Sequence, residues 1–415
     1  MRNLFLLVIT YTCFTSHIKA QSIKVVGNPG DQYNYITQFD GTYFTVGRND
    51  GYAVIDLTGK TVYSGIKAPV IGMSRNLPLY HGTLFVDEAG KMVLKSATGQ
   101  ALGTGKYFEI TPFTTDNTVV SIITPQALSF TAYIDTAGKV IAQLDVKKYL
   151  SIFQATNKAN ITGSAFLSNF LPFSEGLTPI VSPNGKYGYI DKKLNLVIPA
   201  AYAHVRPFSE GLAAVQDANG NWGYIDRSGK VLIPFTYSMP PSRFSSGLAK
   251  VESKEGKLGY INKRNVVVIQ PKYQYATHFY KGYALAREGS NQPICLIDTT
   301  GAVIATFPKD ILYIDNPAPG PGIFGGDQPE YPFYVSETLK ELVDEGKGIF
   351  EKGINYGLYD NKGKLALDFK YMHLSDYHNG KMFAHYYVYN NGPHNQYGII
   401  DDKGNWLIEI APSQF

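Results

Sequence analysis

Short runs of alternating apolar and polar residues fill most of the chain, and Gly, Asn, Asp and Pro punctuate them. The clearest stretch is Arg206 to Pro234. Pro207 to Gly211 reads as a turn and Leu212 to Gln216 as a short strand. Asp217-Ala218-Asn219-Gly220 is turn chemistry, because Asn and Gly tolerate positive φ. Trp222 to Ile225, aromatic and β-branched, reads as a second strand. Asp226-Arg227-Ser228-Gly229 is a second turn, in which Asp bonds the backbone two residues on and Gly takes the left-handed position. Val231 to Ile233 is a third strand that Pro234 stops. Ala203 to Arg206 supplies a short fourth strand ahead of the unit. Three or four short antiparallel strands cannot bury their own faces, so the unit must stack on copies of itself.

The copies are present. The pattern of an apolar pair, Asp, two variable residues, Gly and Lys starts its turn at Asp56, at Ser96 in a decayed form, and at Asp135, Asp191, Asp226, Asn262, Asp298, Asp360 and Asp401. Successive starts lie 40, 39, 56, 35, 36, 36, 62 and 41 residues apart. The three near-equal spacings mark a repeat. The two long ones mark insertions near 145–170 and 308–348. Val146 to Ala155 reads as helical in the first. In the second, Ser336 can cap a helix from Glu337 to Asp344 that Gly346 ends. Three positions before the turn stands Gly188, Gly223, Gly259, Gly357 or Gly398, with Ala53, Ala132 and Cys295 elsewhere. A recurring glycine inside a strand marks close backbone approach, the same constraint in each unit.

Aromatic residues make up 13% of the 415, with 31 Tyr and 23 Phe, and Gly numbers 41. This composition suits strands and turns. Residues 1–20 read as a secretory leader, with Arg2, an apolar Leu4 to Ile9, and Ile18-Lys19-Ala20 before cleavage at Gln21. The remaining domain is 21–415. Losing Arg2 and Lys19 takes the 38 basic residues to 36 against 34 acidic. With no basic run, nothing indicates nucleic-acid binding. No later segment is apolar for long enough to span a membrane, so no transmembrane segment is expected in the mature chain. Cys13 falls in the leader in a poor lipobox. Cys295 is then the single mature cysteine; it cannot form an intrachain disulfide and reads as a buried small hydrophobe.

Trp222-Gly223, the substitutes Tyr187-Gly188, Tyr356-Gly357 and Tyr397-Gly398, the Phe-Ser-Glu-Gly-Leu of Phe173 to Leu177 and Phe208 to Leu212, and the Tyr-Ile-Asp turns together resemble the WG-repeat (KWG-repeat) family. The resemblance is close over 171–307, recognisable over 350–410 and loose over 41–142. It implies an exported bacterial protein with β-propeller-like repeats, a binding or scaffolding role, and no family catalytic motif. Independently, a multi-strand unit repeated with constant twist can close into a ring that hides its edges. The expected fold is therefore all-β, a propeller-like array of about seven or eight blades; an open β-solenoid is the alternative.

Candidate chemistry is sparse. Asp56, Asp135, Asp191, Asp226, Asp298, Asp360 and Asp401 read as turn caps, since Asn262 serves equally well. Asp217 to Asn221 only faintly echoes a calcium loop, lacking its distal Glu. His373, His378, His385 and His394 crowd the C-terminal region without a compact metal motif. Glu175 and Glu210 occupy equivalent turns, which points to structure and away from a hydrolytic pair. No catalytic, cofactor or metal residue is assigned. Phe383, Tyr386, Tyr387 and Tyr389 form a dense aromatic cluster suited to a ligand surface. The function expected is non-enzymatic binding or scaffolding at the cell envelope, secreted or periplasmic, with a protein or glycan partner. A propeller-type glycoside hydrolase or lyase and a purely structural repeat module are the alternatives.

Overall fold

The structure is a computed structural model that describes residues 24–25, 33–48, 51–67, 79–80, 82–89, 91–103, 109–110, 117–123, 129–135, 137–153, 172–311, 337–388 and 394–410. The leader, with its cleavage site, lies outside the described residues.

The described chain forms nine small sheets that follow one another in sequence, covering 33–66, 79–96, 109–144, 177–202, 204–237, 248–273, 275–307, 347–371 and 373–410. Each has three or four antiparallel strands of its own, in chain order. The count is nine where about seven or eight were expected. Every copy of the turn closes a sheet, including the decayed copy, where Ser96 Oγ takes the Gln100 N–H at 3.1 Å. Elsewhere the Asp carboxylate does this work. Asp226 Oδ1 accepts from Ser228 N at 2.9 Å and Lys230 N at 3.0 Å. Asn262 Oδ1 holds the same two positions at 2.9 and 3.1 Å.

Pro234 does not stop its strand, which runs on as Val231–Tyr237. The reason is a bulge. Trp222 pairs with Tyr237 and Tyr224 with Ile233, so Pro234, Phe235 and Thr236 together face Gly223. A proline needs no ladder N–H inside a bulge on an edge strand. The extra residues push the partner backbone inward, and a Cβ on Gly223 would stand 2.6 Å from Ile233 O. Gly188, Gly259 and Gly357 face equivalent bulges. Where the pairing is regular, a side chain is tolerated. Ala132 and Cys295 sit opposite Gln143 and Thr306 with no bulge at that point. Two positions depart from this rule: Gly398 pairs regularly with Glu409 yet Ile408 O still crowds it, and Ala53 carries a side chain although a bulge lies opposite it.

The seams between sheets explain the Phe-Ser-Glu-Gly-Leu motif residue by residue. Tyr189, Tyr224 and Tyr260, each fully buried on the next-to-last strand of its sheet, pack at a steep tilt against Phe208, Phe244 and Phe279 at the next sheet, with ring centres 4.9, 4.9 and 4.7 Å apart. Their hydroxyls donate to Arg206 O, Ser242 O and Thr277 O at 2.7, 2.6 and 2.6 Å. A buried tyrosine hydroxyl is thereby satisfied while its ring contributes apolar area. Ser174 and Ser209 donate to Phe208 O and Phe244 O, one sheet further on. The Gly that follows takes φ near +80°, and the Leu enters the core.

Shared cores join successive sheets from the first to the second and from the third to the ninth, backbone of Leu102 and Gly103 lies against Gly138 between the second and third, and the succession returns to its start. Phe39, Phe44 and Ile55 of the first sheet share one core with Phe383, Ile399 and Ile408 of the ninth. Lys24–Val25 adds in parallel to the outer strand Trp406–Ile410. In an open solenoid the first and last repeats would lie apart, so the arrangement is propeller-like. A small helix, Val146–Ile152, capped by Asp145, seats Tyr149 and Leu150 between the third and fourth sheets. A second, Glu337–Asp344, seats Leu339 and Leu342 between the seventh and eighth. These helices mark the two insertions; 154–171 and 312–336, with Ser336, lie outside the described residues. Among the described residues no helix is long and apolar enough to cross a membrane.

Candidate functional site

The acids stand on scattered turns, each turned onto backbone. Glu175 and Glu210 take the left-handed φ of +52° and +53° at neighbouring hairpins. Glu175 Oε2 accepts from Gly211 N and Glu210 Oε2 from Gly247 N, both at 3.0 Å. Each carboxylate thus latches its turn to the next one, and Lys263 adds an ion pair to Glu210 at 3.2 Å. The two groups are not converged on a common space. Asp217 Oδ1 accepts from Asn219 N and Asn221 N at 2.9 Å, an ordinary hairpin turn.

The C-terminal histidines do not gather either. His373 pairs across the strands with His385, while the His378 ring lies 6.1 Å from Phe39. The side chain of His394 lies outside the described residues. The His373 ring sits 5.5 Å from Tyr356 and 5.8 Å from Phe383. Desolvation there, and then His385, lowers its pKa below 6.5 although part of the residue stays exposed. Among the described residues no group of three or more His, Cys, Asp or Glu could hold a metal ion. Cys295 is half-buried, less enclosed than its apolar neighbours suggested.

The aromatic cluster expected near the C-terminus needs correction. Phe383 is 8% exposed and belongs to the core that joins the ninth sheet to the first. Strand alternation explains this, since Phe383 faces the seam that the neighbouring sheet covers. Tyr386 is half-buried against Tyr371 at 5.8 Å, with Lys370 Nζ 5.9 Å from its ring. The side chain of Tyr387, and Tyr389 altogether, lie outside the described residues.

A different aromatic group emerges at the seam between the fourth and fifth sheets. Tyr187 opens the second strand of its sheet, and His204 opens the first strand of the next. Their rings stack at 5.9 Å and 29°. His204 in turn stacks on Trp222 at 6.4 Å and 18°. The Arg206 guanidinium lies 5.8 Å from the Trp222 ring. Trp222 is buried, Tyr187 and Arg206 are half-buried, and His204 is exposed. Burial raises the Tyr187 pKa, so its hydroxyl stays a donor at neutral pH. The stack presents the exposed His204 imidazole and part of the Tyr187 ring beside a cation, while Trp222 is enclosed. Tyr356 and His373 hold the equivalent positions at the seam between the eighth and ninth sheets but meet edge-on, at 74°, and do not stack. Sequence reasoning missed His204 because ring contact across a seam is not local. The available signal was the spacing Tyr202-x-His204 and Tyr371-x-His373, one after each bulged strand.

Comparison with known proteins gives two kinds of result. The family described as WG containing repeat matches residues 187–222, 222–257, 259–291 and 356–385. No curated protein matches the chain. Among solved structures, it is similar to a eukaryotic initiation factor, with a TM-score of 0.49 and 9% identity over 90% of this chain and 96% of that one. It is also similar to BamB from Moraxella catarrhalis, with a TM-score of 0.32 and 12% identity over 66% and 87%. The C-terminal WD40 domain of Sif2 gives 0.32 and 11% over 66% and 84%. The matched segments carry the same turns and seams seen along the circuit of sheets, so residues 187–257, 259–291 and 356–385 are WG-type repeats.

Proposed function

We propose that this chain is a non-catalytic binding or scaffolding module, exported by its leader to the cell envelope, that recognises a protein or a glycan. The observation that carries the reading is the stack of Tyr187, His204 and Trp222 with Arg206 beside it. Flat ring faces suit the C–H faces of sugars and the apolar side chains of proteins, and a guanidinium held over a ring suits a carboxylate or carbonyl. The recurring acids support the reading from the other side. An acid–base pair needs two groups in contrasting environments around one space. Here the latching carboxylates of Glu175 and Glu210 repeat one environment in successive sheets.

The test is binding by the mature chain, 21–415, to protein and polysaccharide fractions of an envelope extract, each assayed separately. Changing His204→Ala with Arg206→Ala should weaken capture while the melting temperature holds. Release of sugars or peptides from cell-wall material, abolished by a single Asp or Glu substitution, would refute the proposal and promote the hydrolase. The export step is tested by mass spectrometry of exported protein, which should begin at Gln21; an intact Met1 would defeat it.

A further inference from the structure

We propose that the outer edges of the fifth and sixth sheets form a docking surface for an anionic lipid bilayer. The last strand of each sheet is an edge that carries exposed aliphatic residues, among them Val303 and Ile304 on the seventh; on the fifth and sixth sheets they adjoin basic turns. Val231 and Leu232 are 43% and 45% exposed, and Val266, Val267 and Val268 are 54%, 41% and 39% exposed. Isolated exposed aliphatics are ordinary, but grouped ones rimmed by polar residues mark an interaction surface. The two edges are neighbours, because Tyr237 at the end of one donates to Asn265 in the turn that leads into the other.

Charge complementarity selects the partner. Arg227 and Lys230 occupy the turn just before Val231, and Lys263 and Arg264 the turn just before Val266; all four are exposed. The acids nearby are engaged. Asp226 accepts backbone N–H groups, and Glu210 accepts Gly247 N and the Lys263 ammonium. Arg227, Lys230 and Arg264 therefore border the turn end of an aliphatic strip, with Lys263 paired to Glu210 beside them. That is the arrangement a peripheral protein uses on an anionic bilayer, with basic side chains at the headgroups and apolar ones just below. A soluble polyanion would satisfy the cations and leave the five aliphatic side chains wet. This inference rests on other residues than the aromatic stack and stands apart from the proposed function.

The experiment is co-sedimentation of the mature chain with vesicles of phosphatidylcholine alone and of phosphatidylcholine mixed with phosphatidylglycerol. Binding is expected only to the mixed vesicles and should fall as salt is raised. Changing Lys230→Gln with Arg264→Gln should weaken it roughly 30-fold, about a factor of five for each basic side chain. Changing Leu232→Ser with Val268→Ser leaves the charge unchanged and should weaken it on the order of tenfold. Both pairs are exposed, and melting curves check that each variant is folded; should the serine pair fail to fold, the glutamine pair decides. No sedimentation of wild type, or equal sedimentation with both vesicles, overturns the proposal. So does full binding by a folded serine pair. Retention of inorganic polyphosphate without vesicle binding would assign the cations to a soluble polyanion and likewise overturn it.

Discussion

Replacing Gly223 by Ala tests the cause of the recurring strand glycine. Its Cβ would lie 2.6 Å from Ile233 O and 3.0 Å from the C and O atoms of Pro234. Even weakly attractive carbon–oxygen contacts settle near 3.3 Å, so the strands must part by roughly 0.7 Å. The atoms in the way are backbone, and they belong to a bulge stiffened by Pro234. Gly223 does not use a left-handed φ, so Ala suits the local backbone, and its stiffer unfolded chain favours folding by about 0.4–1 kcal/mol. Overpacking acts in the other direction, at about 1–3 kcal/mol. The net should be a loss of about 1–2 kcal/mol, with Gly223→Val worse. The chain has two tryptophans, so urea unfolding read by Trp222 fluorescence in a Trp406→Phe background reports the seam locally. A local probe is needed because repeat arrays do not unfold as one unit. The control is Ala132→Gly, the equivalent position without a bulge. It should cost about 0.5–1 kcal/mol through chain entropy, read by hydrogen exchange in the third sheet. Gly to Ala at position 223 and the reverse exchange at position 132 are thus both expected to lower stability. A Gly223→Ala protein as stable as wild type would refute the reasoning.

Further outcomes follow from the same geometry. Tyr224→Phe leaves Ser242 O without its buried donor and should cost about 1–3 kcal/mol by urea titration; a neutral result would mean that the ring alone holds the seam. The hydroxyls of Thr58, Ser228 and Thr300 hold the carboxyls of Asp56, Asp226 and Asp298 below the usual 3.8. A depressed folded pKa gives stability that is full above the unfolded value and lost as pH falls through the folded one. Melting temperature should therefore hold above pH 3.8 and drop below it, and Asp226→Asn should remove its share of the drop with little effect at neutral pH. A large loss at neutral pH for Asp226→Asn would contradict the part Asn262 plays. Leu194 and Asn265 hold the left-handed turn position at φ +63° and +62°. Leu194→Gly should still destabilise, because about 1.5–3 kcal/mol of burial outweighs about 1 kcal/mol of relieved strain. Asn265→Gly should lie closer to neutral in thermal melts, since it loses mainly the partner of the Tyr237 hydroxyl.

Local chemistry was readable from sequence, and chemistry between sheets was not. The turn caps at Asp56 through Asp401 depend on atoms within four residues, so their pattern survives in the one-dimensional record. The glycine position was readable as a constraint but not as a bulge, because the bulge lies on the partner strand. The same blindness ended the strand at Pro234. Nine turn starts are legible and each belongs to one of the nine sheets, the copy at Ser96 having lost its Asp and kept its fold. Phe383 looked like a surface ring because nothing in its neighbourhood announces that the first sheet will cover it. Its cover comes from Phe39 and Phe44, more than 300 residues away along the chain. The Tyr187, His204 and Trp222 stack was invisible for the same reason, since its members come from two sheets.

Equivalence among the seams decides where specificity can reside. The fourth-to-fifth, fifth-to-sixth and sixth-to-seventh seams use the same Tyr-to-carbonyl bond and the same Tyr–Phe contact. The latch onto the next turn persists even where its acceptor changes from Glu210 to Ser246, which takes Gly282 N at 2.9 Å. Interactions repeated this closely hold the circuit together and cannot distinguish one direction of approach from another. Recognition therefore has to come from residues that break the repeat. At the eighth sheet the break is a helix, whose buried Glu341 takes Ile349 N at 2.9 Å and Tyr377 N at 3.3 Å and so ties two sheets together. That acid is spent on backbone inside the seam. At the fourth-to-fifth seam the break is His204 between Tyr187 and Trp222, and its imidazole reaches solvent. Of these two departures, only the second presents its side chain to solvent.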